Sequence, residues 1–496
     1  MTPAPTLAPT PTQPSVALGT EAGPPLRTAP GIDATRAVLA AVFGSVGERR
    51  FAVRFWDGTV DAPVRPPEFT MLLVRPGALR RMLLPPSELS FAHAYMFGDV
   101  DYEGDLEAMV DVMLAVAMRG VPEGGLVNIM GLLRALPRES LADDVAEASS
   151  GRQLHRGRWA GGRNTPGRDA AAVRFHYDVG NDFFALWLDR RMVYTCGYFE
   201  TGAEDIDTAQ EAKLDLVCRK LRLAPGERLL DIGCGWGGLV QYAVEHYGVE
   251  AVGITLSVEQ AKFAQARITE AGLGSRCRVE IRDYREFADP VPFDKISCIC
   301  MSEHVGRARL PQLFGLAHRV LRPGGLFMNQ AIVTLGGARP RSKTLSSRLA
   351  RFVWQRGGGF TDAYVWPDVR LVTNGDLLME AEAAGFETRD VESLREHYAL
   401  TLRRWLTLLD ERHEDVVRVA GEPTYRVWRL YLAGGAHRLA SGQISVGQTV
   451  FAKPDPAHPD TGPSTRAHLY TEGEGHVTTV TLRARRVLRS AMKARR

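Results

Sequence analysis

Apolar positions in the middle of the chain fall in short blocks separated by amphipathic stretches. ERLLDIGC, VEAVGITLS, CRVEIRDY, FDKISCICMS and GGLFMNQAIV each hold an apolar run of strand length, while GGLVQYAVEHYG and VEQAKFAQARITEAG carry apolar residues at helical spacing. Such alternation predicts a parallel sheet covered by helices on both faces, a doubly wound α/β domain of the Rossmann-like kind over about 171–455. Upstream, FAVRFWDG and FTMLLVR read as strands, and the stretch from LRRMLLPP to AVAMRG reads as helices separated by turns. A small α+β domain is therefore expected over 34–135. Residues 1–31, rich in Pro, Thr and Ala without periodicity, are expected to be a disordered tail, and the polar, Gly-rich 136–170 a linker. An insertion near 335–375 interleaves cations with large apolar residues, as a lid or lipid-facing surface would. Residues 456–496 form an extension with a basic end.

Composition narrows the function classes. A chain of 496 residues is too long for one ordinary core. Its 61 lysines and arginines against 58 acidic residues leave a formal charge of +3, which argues against a nucleic-acid-binding surface. The six cysteines form no CxxC pair and no cluster with histidine, so they read as reduced thiols of a cytoplasmic protein with no metal site. No apolar run approaches the ~18 residues of a membrane span, and the N-terminus lacks the pattern of a secretory signal.

The sharpest local signal is LLDIGCGWGG at 229–238. A buried strand ends at Asp231, and Gly233 and Gly235 let the backbone pass close beneath a ligand before the next helix. The GxGxG form lacks the dinucleotide spacing, which favours a methionine-derived sulfonium, as in S-adenosylmethionine, over a pyrophosphate; the alternative is a structural turn. The second strand ends without the acid that commonly holds ribose hydroxyls. Thr255 and Gln260 offer neutral hydrogen bonds instead, unless the segment is only a helix cap at Ser257. Asp283 and Tyr284 follow the third strand, where adenine is expected; an ordinary loop is the competing reading.

Several blocks together resemble the cyclopropane-fatty-acid and mycolic-acid cyclopropane synthases: HYDVGNDFFALWLDRRMVYTCGYFE, LLDIGCGWGG, VGITLSVEQ, FDKISCICMSEHVG, HYALTLRRW and YRVWRLYLAGGAHRLASGQISVGQTVFAK. The resemblance covers roughly 171–455, and the N-terminal stretch looks like the lipid-engaging domain of longer members. It implies a class I methyltransferase acting on unsaturated phospholipid acyl chains, with donor contacts at Tyr194, Thr195, Gly233, Thr255 and Gln260. It also implies a bicarbonate base whose binding positions fall on Cys196, Glu303, Gln330, Ile332 and Tyr398. Gln330 departs from the family's histidine, and Gly435 from a common cysteine. Bland alternatives are a helix cap for Glu303, and core packing for Tyr398 and Cys196.

The reaction so implied is attack of a cis alkene on the donor methyl, followed by loss of a proton from the resulting carbocation to close a cyclopropane. Loss of a different proton leaves a methylene branch, which a reductase partner would then saturate. A catalytically silent lipid-binding protein is the reading from another class. The cation-rich stretch 339–356 and the basic end 481–496 are expected to meet anionic headgroups from the cytoplasmic side, as a peripheral membrane protein does. A homodimer is implied by the resemblance only.

Overall fold

The computed structural model describes residues 31–119, 131–137, 166–335, 359–458 and 462–470. The expected insertion stretch 339–356, the basic end 481–496 and nearly all of the N-terminal tail lie outside them.

The N-terminal unit packs helices α1 (Ile32–Phe43), α2 (Ala78–Leu83), α3 (Glu88–Met96) and α4 (Leu106–Arg119) with strands β1 (Phe51–Arg54), β2 (Val60–Asp61), β3 (Phe69–Leu73) and β4 (Val100–Gly104). The strands form a sheet in the order β2-β1-β3-β4. Strand β4 lies where the sequence reads as helices and turns. Its Val100 and Tyr102 are buried while the residues between and after them are not, so five residues suffice to complete the sheet beside β3.

Six helices lead through the first half of the larger unit: α5 (Pro166–Tyr177), α6 (Asn181–Ala185), α7 (Ile206–Lys220), α8 (Gly238–Tyr247), α9 (Val258–Glu270) and α10 (Ser302–Val305). The second half adds α11 (Leu310–Val320), α12 (Phe360–Tyr364), α13 (Asn374–Ala383), α14 (Arg395–Glu411), α15 (His413–Ala420) and α16 (Glu422–Ala440). The strands are β5 (Arg228–Ile232), β6 (Glu250–Thr255), β7 (Cys277–Ile281), β8 (Phe293–Ile299), β9 (Leu321–Thr334), β10 (Glu387–Ser393) and β11 (Ile444–Ala452), in the order β10-β11-β9-β8-β5-β6-β7. The β5–β9 core is parallel, and β10 and β11 add an antiparallel edge. Every residue of β11 is buried, whereas β10 alternates exposed and half-buried residues, as a charged edge strand does. The doubly wound expectation holds, with a mixed rather than wholly parallel sheet.

Helix α5 begins inside the stretch expected to be a linker. Proline is tolerated in a first helical turn, and the start of α5 is pinned by Arg168, whose Nη2 bonds Asp368 at 2.8 Å, and by Asp169, which pairs with Arg285 at 2.9 Å. The two units share one apolar core, which runs from Phe51 and Met71 through Phe183 and Trp187 to Trp405 and Trp428. Arginines tie its rim: Arg426 reaches Asp101 at 2.8 Å, and Arg429 donates to the Tyr95 hydroxyl at 3.0 Å.

The glycine loop after β5 lies directly on β6, where the amides of Gly233 and Cys234 both donate to the Ile254 carbonyl, at 2.9 and 3.0 Å. Gly253 permits this approach, since a Cβ there would lie 2.7 Å from Cys234 Sγ. Gly253→Ala is therefore expected to destabilise the fold by about 1–3 kcal/mol in urea denaturation. An unchanged midpoint would mean that the loop is not seated on β6.

Candidate active site

The carboxyl ends of the parallel strands open into a cavity of about 840 Å³. Gly233 and Gly235 adopt φ of 82° and 54°, a left-handed region costly for other residues, and turn the backbone under the cavity. A Cβ at Gly235 would meet nothing nearer than Gln260 Nε2 at 4.0 Å, so the space over the loop is open. Asp231, at the end of β5, accepts a hydrogen bond from Ser297 Oγ at 2.7 Å; burial raises its carboxyl to about 6 against the pull of Ser297 and Lys213.

Ser257 does cap α9, accepting from the Gln260 amide, and this leaves the Gln260 side chain for the cavity. Thr255 Oγ1 donates to Gln260 Oε1 at 3.1 Å, while the buried Nε2 has no hydrogen-bond partner among the described residues. Such an amide fits a ligand bearing hydroxyl acceptors. On the other flank Lys213, wholly buried, donates to Thr195 Oγ1 at 3.0 Å.

Glu303 lies in the short helix α10 just after β8. Neither α10 nor the following α11 has a side-chain cap, and among the described residues Glu303 Oε2 has no hydrogen-bond partner, so capping does not account for Glu303. Burial raises the carboxyl to about 7, opposed by the amides of Glu303 and Ile332 and the Cys300 thiol. Cys300 sits at φ 55°, a strained position for a side-chain-bearing residue, and its amide donates to the Gln330 carbonyl at 2.7 Å. Around the carboxyl stand Tyr177, Tyr194, Trp366, Tyr398 and Tyr431. Their π faces suit a transient cation.

Gln330 does not line the cavity. It lies opposite Gln448, which lies opposite Glu392, across β9, β11 and β10. Lys220 Nζ bonds Glu392 at 2.5 Å and Gln448 Oε1 at 2.7 Å; Gln448 Nε2 donates to Gln330 Oε1 at 2.9 Å, and Gln330 Nε2 to Cys300 Sγ at 3.3 Å. Because ammonium can only donate, it fixes both amides with their N–H groups toward the cavity side.

Of the residues expected from sequence, Tyr194, Thr195, Asp231, Gly233, Gly235, Thr255, Gln260, Tyr284, Glu303, Ile332 and Tyr398 line the cavity. Asp283 does not. It caps the short turn at Tyr284 and pairs with Arg285 at 2.5 Å. Cys196 is core, with Sγ 3.1 Å from the Gly197 carbonyl, and burial pushes its thiol up. Of the five positions expected to hold bicarbonate, Glu303, Ile332 and Tyr398 line the cavity, while Gln330 and Cys196, the latter expected through its backbone amide, do not. Phe183, Phe184 and Trp405, all aromatic, are packed core rather than cavity wall. Cys300, Lys213, His304, Trp366 and Tyr431 were not legible as site residues. Cys300 and His304 lie within the FDKISCICMSEHVG block and Tyr431 within the YRVWRLYLAGG block, and those blocks are the signal that could have found them.

The mixed sheet, the glycine loop and the acid-free ribose flank define a class I S-adenosylmethionine-dependent methyltransferase. Residues 164–449 match the family described as mycolic acid cyclopropane synthetase, and the chain belongs to it. It is 35% identical to a "probable fatty acid methyltransferase" of Pseudomonas putida, over 84% of this chain and 95% of that protein. A similarly described protein of Mycobacterium tuberculosis is 33% identical, over 86% and 96%. The structure of mycolic acid cyclopropane synthase CmaA1 complexed with SAH and CTAB is similar, with a TM-score of 0.52 at 36% identity, covering 57% of this chain and 97% of that one.

Because the folded pKa of Glu303 lies above its ordinary 4.5, the folded state keeps a proton that the unfolded chain has released. That contribution is whole below about pH 4.5 and is lost as pH rises through about 7. Relative to Glu303→Gln, the wild type is expected to lose about 3 kcal/mol between about pH 5 and about pH 8 in denaturant titrations. A difference independent of pH would show a solvated carboxyl.

Proposed function

We propose that this enzyme adds the methyl carbon of S-adenosylmethionine to a cis double bond of unsaturated phospholipid acyl chains and closes a cyclopropane ring. Its substrate class follows from its family; phospholipid as the carrier is our reading. The observation that carries it is a buried carboxyl, with one oxygen unpaired among the described residues, lining the same cavity as the glycine loop and several aromatic side chains.

Bound beside the loop by Asp231, Thr255, Gln260, Tyr194 and Thr195, S-adenosylmethionine supplies an electrophilic methyl group. One alkene carbon would bond that methyl as the sulfur–methyl bond breaks and S-adenosylhomocysteine is left, and the positive charge on the other alkene carbon meets the aromatic faces rather than water, which would trap it as an alcohol. One proton of the added methyl then leaves toward Glu303 Oε2 as the electrons of that C–H bond close the ring. Near pH 7 a carboxyl raised to about 7 is both ionised often enough to accept the proton and basic enough to hold it.

A second product has support in Gln330, whose amide is spent on Gln448 and Cys300. With no ring nitrogen there, a 1,2-hydride shift that moves the charge to the methyl-bearing carbon, followed by loss of a methyl proton, would give a methylene branch, needing a reductase partner. We further place the enzyme at the anionic cytoplasmic membrane surface. Among the described residues no helix is long and apolar enough to cross a membrane.

Gas chromatography with mass spectrometry of fatty acid methyl esters, from bacteria rich in oleoyl and vaccenoyl phospholipid, tests the reading. The expected result is a saturated product one CH2 heavier; a methylene-branched product would move the assignment to the second reaction. Glu303→Gln is expected to lower turnover by about 100-fold or more while donor affinity is kept. Wild-type turnover in that variant would overturn the role of Glu303.

A further inference from the structure

Helix α16 runs along the cavity from the reaction centre to the N-terminal unit, and Tyr431, Gly434, Gly435 and Arg438 all line it. Spacings of three, four and seven put these residues on one helical face. At one end Tyr431 accepts a hydrogen bond from Trp366 Nε1 at 3.1 Å and feels the charge of Glu303. At the other, Arg438 is exposed along the cavity among Phe91 of α3 and Val110 and Met113 of α4. Its side chain makes no hydrogen bond or ion pair among the described residues. Its acidic neighbour, Glu88, instead accepts from the Phe360 amide at 3.0 Å.

The glycine pair between these ends is costly within a helix, by about 1 kcal/mol for each glycine relative to alanine. Space accounts for it. A Cβ at Gly434 would meet nothing within 4 Å, and one at Gly435 would lie 2.8 Å from Leu402 Cδ1.

We propose that Arg438 anchors the anionic, oxygen-rich end of the acyl substrate, and that the Gly434–Gly435 notch carries the chain past α16, so that the helix measures the distance to the double bond. This rests on the acyl-methylating function proposed above. Seven residues of α-helix advance about 10 Å. An extended chain covers about 3.5 Å in three bonds, so the reacting carbons lie roughly nine bonds from the anchored end. Tyr431 and Arg438 side chains lean the same way along the helix, which preserves the offset. An exposed guanidinium keeps N–H donors for an incoming phosphate or carboxylate, with which it makes charge-assisted hydrogen bonds, while Glu88 beside it contributes only at a distance.

The test uses the full chain with S-adenosylmethionine and phosphatidylglycerol vesicles carrying petroselinoyl, oleoyl or erucoyl chains, whose double bonds lie progressively farther from the ester. S-adenosylhomocysteine release and lipid products are followed. The wild type is expected to favour one of the three double-bond positions over the others. Arg438→Met should raise KM for the vesicle about tenfold, leave kcat within about twofold and flatten the positional preference, with Arg438→Lys recovering part of it. Gly434→Leu should block all three chains while calorimetry still finds donor binding, which separates a plugged channel from a misfolded one. Free oleate in place of the vesicle tells the sources apart: turnover on it assigns a carboxylate at Arg438, and turnover on phospholipid alone assigns the headgroup phosphate. An Arg438→Met enzyme with unchanged KM and positional profile overturns the anchor. A wild type that methylates none of these lipids overturns instead the function on which it rests.

Discussion

A carboxyl deprived of water at the ends of β8 and β9 sets the terms for much of this structure. Removing an acid from solvent favours its neutral form, and the effect persists only where water is kept out over the whole enclosure. No single layer around Glu303 does this. The sheet ends lie beneath it, the aromatic residues of α5, α14 and α16 wall it, and the core that backs those helices extends into the N-terminal unit. Glu303 Oε2 is, with Gln260 Nε2 and the Tyr194 hydroxyl, one of the cavity-lining polar atoms that have no partner among the described residues. Buried polar atoms are ordinarily satisfied, so one kept bare beside a ligand cavity is a feature of chemistry rather than of folding.

The ladder from Lys220 to Cys300 solves a related difficulty. A primary amide has two ends of opposite polarity and similar shape, and a buried pair of them can settle in either sense. Lys220 has no acceptor, so its contact with Gln448 leaves one sense for both glutamines. Glu392 and Asp390, on the exposed edge strand, offset the charge of this buried ammonium. An edge strand that looks peripheral thus takes part in orienting groups two strands inward.

How far the sequence could be read depended on whether a residue's job was local. The parallel strands, the glycine loop and the Ser257 cap follow from short-range pattern, and they are present. Strand β4 escaped because five residues between two helices carry too little alternation to stand out, and β10 because its charged, half-exposed pattern resembles a loop. Asp283 is expected from its place after the third strand, and Gln330 from the position of the family's histidine. Only the fold reveals that Arg285 claims the first and Gln448 the second. Cys300 and Tyr431 sit inside recognisable blocks without being singled out there, and Lys213 lies outside them; the importance of all three arises from segments brought together over long separations.

The cavity has one further consequence, for how the molecule comes apart. Its walls belong to both units, which also share an unbroken apolar core. A small domain on a flexible tether would melt separately from its neighbour; here, opening the junction exposes the enclosure and the common core at once. Unfolding is therefore a single cooperative event over both units, and any occupant of the cavity raises the transition of the whole described structure rather than of one half.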